Sequence, residues 1–163
     1  LLNTLDRFAQ LNNEYLQIKR ISTPTFNYFI QFYYSRNLPI ILTDAINHWP
    51  ALKKWSPEYF KSTVGREIIE IQFNREKDPL FERNSVQHKT KMTMADFVDL
   101  ISQTNYSNNF YMTANNAKAS QLSLVQLFKD IGNFHNYTDH SQVTDRSFIW
   151  FGPKGAFKSS NLT

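Results

Sequence analysis

There is no cysteine anywhere in the chain. That absence excludes a disulfide scaffold, thiolate-bound zinc, iron–sulfur clusters and cysteine nucleophiles together, and leaves histidine and carboxylate to hold any metal. Glycine is scarce too, with four residues in all, too few for a phosphate-cradling loop. Neither a Gly-X-Ser-X-Gly elbow nor a His-Glu-X-X-His helix occurs. No apolar run approaches the length of a membrane span, and the start, LLNTLDRFAQ, lacks the basic and apolar regions of a signal peptide. The expectation is a cytoplasmic protein without a membrane partner.

What is present supports a packed core. The 163 residues are 41% hydrophobic and 15% aromatic, which suits one globular domain over residues 1–163 and argues against disorder. The formal charge of +4 comes from scattered rather than massed Lys and Arg, so no nucleic-acid partner is expected. The Asn-X-Ser/Thr sequons at Asn105, Asn136 and Asn161 read as chance in an asparagine-rich chain.

The pattern along the chain is mixed α and β, with a helical lead-in over residues 1–36 and strands with helical insertions over 37–163. Leu2, Leu5, Phe8, Leu11, Tyr15 and Leu16 form the apolar stripe of a helix running to Arg20. Thr23 and Pro24 then give a helix start for Thr25 to Ser35, expected to bury Phe26, Phe29, Ile30 and Tyr33. Leu38 to Thr43 reads as a strand apolar on both faces, and Ser56-Pro57-Glu58 opens a helix closed by Gly65. Glu67 to Phe73 alternates, with Ile69, Ile71 and Phe73 on one face. Asn74 to Asn84 reads as a charged loop, and Val86 to Met92 as another strand. Thr93 and Asp96 form a capping-box-like start for a helix ending near Ser102. Phe110 to Ala114 is a strand, Ser123 to Ile131 a short helix, and Phe148 to Phe151 a strand entering the Gly152-Pro153-Lys154-Gly155 turn.

Taken residue by residue, the chemistry names no active site. His135 and His140 are five apart in a polar segment, an awkward spacing for shared metal ligation, and read as loop histidines. His48 reads as a turn residue, and His88 has no obvious partner. Asp96 and Asp99 read as a solvated helix face.

One combination carries more. Leu38-Pro39-Ile40-Ile41-Leu42, His48-Trp49-Pro50-Ala51-Leu52, Phe110-Tyr111-Met112 and Trp150-Phe151-Gly152-Pro153-Lys154-Gly155 occur in this order. The set resembles the cupin-like JmjC-domain family of iron(II) and 2-oxoglutarate dependent protein hydroxylases, over nearly the whole chain from about Arg20. The resemblance implies the N-terminal helices and first strands of a double-stranded β-helix, a jelly-roll barrel incomplete in this chain. It also implies a facial His-X-Asp/Glu and distal His site for iron. Tyr111 matches the tyrosine whose hydroxyl reaches the 2-oxoglutarate carboxylate, Thr113 faces the same pocket, and Trp150 stands on the substrate side.

The departure from the family lies at the end. In the ungapped register Asn161-Leu162-Thr163 falls where the family carries His-X-Asp, and Lys158 where it carries Ser or Thr. Neutral Asn and Thr are poor substitutes for imidazole and carboxylate, so the expectation is that this chain binds neither iron nor co-substrate and has no metal or catalytic residue of its own. Either the natural sequence continues past the missing triplet, or the domain has lost its iron site and serves as a binding or assembly module. The parent is expected to be a dioxygenase acting on a protein or peptide. An open half-barrel would expose strand edges, so a homo-oligomer or domain-swapped assembly is also expected.

Overall fold

The computed structural model describes residues 18–113, 124–132, 137 and 148–156. They fall into two units, residues 1–48 with 134–138 and residues 49–133 with 139–163. The fold is a mixture of short helices and two small sheets.

In the first unit, β1 (Lys19–Ile21) and β2 (Ile40–Leu42) pair in parallel, with Arg20 opposite Ile41. Parallel strands need a crossover, supplied here by α1 (Phe26–Phe32). Four findings depart from the sequence pattern. Lys19 to Ile21 is a strand, although the apolar stripe carries the first helix to Arg20; the rest of that helix lies outside the described residues. The cap of α1 is Thr25, whose hydroxyl accepts from Tyr28 N, whereas Thr23 binds Asp44 through both its N–H and its hydroxyl. Only Tyr33 of the expected buried set is buried, and Phe26 is exposed. Aromatic contact comes instead from Tyr137, whose ring lies 4.8 Å from that of Phe29 and whose hydroxyl donates to the Pro24 carbonyl. β2 is likewise a half-covered strand with Ile41 exposed, not a strand buried on both faces.

The second unit holds the larger core. After the short α2 (Ala51–Lys54), Ser56 caps α3 (Pro57–Val64) by accepting from Tyr59 N at 3.2 Å, and Pro57 takes the first turn, where its missing N–H costs nothing. β3 (Ile68–Phe73) is the central strand of an antiparallel sheet, flanked by β4 (Lys89–Thr93) and β5 (Phe110–Tyr111). Thr93 caps α4 (Met94–Ser102), accepting from Asp96 N at 3.0 Å while its hydroxyl donates to the Asp96 carboxylate at 2.6 Å. Ile69 and Ile71 from β3 meet Phe97 and Val98 from α4 and Phe60 and Val64 from α3. Burying side chains of this size stabilises the unit by roughly 1.5–3 kcal/mol each.

α5 (Val125–Phe128) is shorter than the pattern suggests, and Leu127 anchors it in the core. Asp130, just beyond, ties it down: its buried carboxylate accepts from Lys54 Nζ at 2.6 Å and Tyr59 hydroxyl at 2.5 Å, and its carbonyl accepts from Ala51 N at 3.0 Å. Among the described residues the strand expected over Phe148 to Phe151 reduces to a single bridge in which Phe151 and Met112 exchange both backbone bonds, at 2.8 and 3.1 Å. The ladder stops because Pro153, two residues on, has no N–H to give.

Candidate functional site

The side chains of β5 alternate as a strand requires. Phe110 and Met112 enter the core, which sends Tyr111 and Thr113 to the opposite face. Cross-strand pairing puts Phe110 opposite Phe73, their rings stacked 6.2 Å apart, and Tyr111 opposite Gln72. Tyr111 is half-buried and Thr113 buried.

Two neighbours hold the Tyr111 ring. A Cβ at Gly152 would stand 2.5 Å from Tyr111 Cδ2, so the Gly-Pro-Lys-Gly turn approaches the ring as closely as only glycine permits. Arg75 lies on the second side, its guanidinium carbon 5.1 Å from the centroid of Tyr111 and 4.3 Å from that of Phe81. Asn74, left-handed at φ 60°, turns the chain out of β3 so that Arg75 points inward, and Arg75 N donates to the Asn109 carbonyl. The Arg75 side chain is fully buried and its Nη2 donates to Glu82 at 3.3 Å. Burial lowers the proton affinity of the guanidinium, against the attraction of Glu82 and Tyr111. Burial also raises the Tyr111 phenol above its ordinary range; the Arg75 charge opposes that rise and Glu82 adds to it.

The turn is fixed from behind. Ser107 N donates to the Lys154 carbonyl at 2.9 Å, and the Ser107 hydroxyl and Asn108 N both donate to Glu76 Oε1, at 2.9 and 2.6 Å. The Asn108 N–H and the Ser107 hydroxyl together hold the Glu76 carboxyl below its ordinary range. Gly155 adopts φ 92° and packs against the ring of Tyr106.

The three residues singled out in the sequence are therefore not equivalent. Tyr111 and Thr113 share one sheet face. Trp150, between buried Ile149 and half-buried Phe151, is half-exposed, with its ring 6.2 Å from that of Phe148. Arg75, Phe81 and Gln72 were not legible as site residues, because a charged loop and the polar face of a strand both read as solvent-facing. The left-handed Asn74 before Arg75 has no sequence signal beyond the tolerance of asparagine for that conformation.

His88 does have partners: Nδ1 meets the Phe73 carbonyl at 2.9 Å and Nε2 the Asp78 carboxylate at 3.0 Å, so its role is to brace the loop. Asp99 pairs with Lys61 at 2.5 Å on the helix surface. His135, His140 and Asn161 to Thr163 lie outside the described residues. Among the described residues no group of three His, Asp or Glu could hold a metal ion, and no helix is long and apolar enough to cross a membrane. The described residues thus do not fit an iron site by themselves. The Tyr111 hydroxyl is a donor of the kind that suits a carboxylate.

Residues 26–160 match the cupin-like domain family, and the chain belongs to it. Its relatives are JmjC proteins. Over 48 residues, 29% of this chain and 15% of the relative, it is 42% identical to the human bifunctional peptidase and (3S)-lysyl hydroxylase JMJD7. Over 55 residues, 34% of this chain and 12% of the relative, it is 33% identical to lysine-specific demethylase 8 of Xenopus tropicalis. JmjC domain-containing protein E of Dictyostelium discoideum is 38% identical over 47 residues, 29% of this chain and 13% of that protein. The matched stretches are thus a small part of each relative's length.

Proposed function

We propose that this chain is part of an iron(II) and 2-oxoglutarate dependent oxygenase that hydroxylates a protein side chain, and that it supplies the Tyr111 wall of the co-substrate pocket. The observation that carries the reading is the setting of Tyr111 in a cupin-like domain, its ring held between a buried arginine and a glycine that leaves no room for another residue. In this role the Tyr111 hydroxyl donates to a carboxylate of 2-oxoglutarate, Thr113 lines the same face, and the exposed Trp150 contacts the substrate. The buried surroundings raise the phenol pKa and so keep its proton in place as a donor. When bound, iron with 2-oxoglutarate would supply the oxidising chemistry, and the residues described contribute binding, orientation and exclusion of water.

A second reading has its own observation. By resemblance, an ungapped register would set Asn161-Leu162-Thr163 on the family's iron-binding triplet, and on that register the chain reads as a JmjC-like binding or assembly domain without turnover. The partner would then be the protein or peptide itself, or a second copy of the chain. Supplying the full-length protein with iron(II), 2-oxoglutarate and a peptide library, and following succinate release, separates the two. Release of succinate supports the oxygenase, and none at any iron concentration supports the binding domain.

A further inference from the structure

Gln72, on β3 opposite β5, carries a buried side-chain oxygen with no hydrogen-bond partner among the described residues. Gln72 stands directly opposite Tyr111, so the two side chains leave the sheet on the same face with their Cβ atoms about 5 Å apart. Its neighbour Ile71 lies in the core and Phe73 packs against it. Gln72 is only 4% exposed, and its Oε1 has no hydrogen-bond partner among the described residues. Burial strips this oxygen of the hydrogen bonds it makes to water, and none of the described residues replaces them. Native proteins satisfy nearly all such groups, and each exception calls for an explanation, a bound partner among them. Buried Asp130 and Ser107, in the same unit, are both engaged.

We propose that Gln72 is a specificity-determining residue of the Tyr111 site, its amide oxygen accepting a hydrogen bond from an N–H on the substrate side chain bound there. A lone neutral acceptor selects for a donor: an amide, ammonium or guanidinium group satisfies it, and an apolar chain of the same shape leaves it stranded. Such a site rejects the analogue that lacks the donor more strongly than it rewards the one that has it. The inference rests on the reading of Tyr111 as the co-substrate wall and names what the neighbouring strand reads.

The test uses the full-length protein with 2-oxoglutarate and three probes, N-acetyl methylamides of lysine, asparagine and norleucine, with binding followed by saturation-transfer NMR. The wild type should bind the lysine or the asparagine probe at least about tenfold more tightly than norleucine. Gln72→Leu should erase that preference, retain 2-oxoglutarate and unfold a few degrees higher, because it removes a buried unpaired oxygen. Gln72→Glu, which keeps an acceptor, should restore the preference for the lysine probe. A preference that survives Gln72→Leu overturns the proposal and leaves the co-substrate reading intact. So does a lowered unfolding temperature in that variant, which would mean the amide is satisfied within the fold. A wild type that binds no 2-oxoglutarate removes the reading beneath the proposal and the proposal with it.

Discussion

The guanidinium of Arg75 lies 5.1 Å from the ring centroid of Tyr111, and the arginine is fully buried. A charge in that position has two effects, packing against the ring and opposing the rise in the phenol pKa that burial causes. Arg75→Met separates them, since methionine keeps much of the volume without the charge. Replacing a buried ion by an apolar residue of similar size is often close to neutral, so stability should change by no more than about 2 kcal/mol. The Tyr111 phenol should titrate higher still, read as the ultraviolet difference between Arg75→Met and Arg75→Met/Tyr111→Phe. Arg75→Ala should cost roughly 2–4 kcal/mol through the cavity it leaves. A phenol that titrates lower in the methionine variant would remove the charge from the explanation.

Gly152 and Gly155 look alike in the turn and should behave differently when mutated. Gly152→Ala drives a methyl into the Tyr111 ring, whose backbone is held in β5, so the ring itself must shift. The expected cost is about 1–3 kcal/mol together with loss of 2-oxoglutarate binding. At Gly155 the obstacle is the left-handed φ of 92° and the exposed ring of Tyr106, which can swing away. Gly155→Ala should cost about 1 kcal/mol and leave binding nearly unchanged. Chemical denaturation beside co-substrate titration distinguishes them, and equal losses of binding would contradict the assignment of Gly152 to the site.

The carboxylates of Glu76 and Asp130 set an acid limit. Glu76 is held below its ordinary value of 4.5 by the Asn108 N–H and the Ser107 hydroxyl, and Asp130 below 3.8 by Lys54 and Tyr59. A depressed carboxyl contributes stability that is present above its unfolded pKa and lost as pH falls through the folded one. Unfolding temperature should therefore hold down to about pH 5 and drop below it. Asp130→Asn, which keeps the shape and loses the charge, should cost about 1–3 kcal/mol at neutral pH and flatten the lower part of that profile. A profile unchanged by Asp130→Asn would exclude the Asp130 cluster as its source.

Where local chemistry decides a structure, the sequence was a sound guide. The Ser56-Pro57 and Thr93 caps and the alternation of β3 each follow from a few neighbouring residues. Where pairing over distance decides it, the sequence was silent. Lys19-Arg20-Ile21 has no strand pattern of its own and becomes extended by docking on Ile40 to Leu42. Arg75 sits among charged residues that belong on a surface, and only the left-handed turn at Asn74, with Phe81 and Tyr111 as walls, takes it inside. Tyr111 itself was singled out only through resemblance, since nothing in its spacing separates a ligand-facing tyrosine from an ordinary strand aromatic.

Calorimetric titration of 2-oxoglutarate into the full-length protein and its Tyr111→Phe variant bears on the site more directly than any other experiment. Losing one hydroxyl donor to a carboxylate should weaken binding by about 10- to 100-fold. The variant should keep its unfolding temperature within a few degrees, because the ring and its contacts with Arg75 and Gly152 remain. Equal affinity in wild type and variant would show that the Tyr111 hydroxyl does not meet the co-substrate.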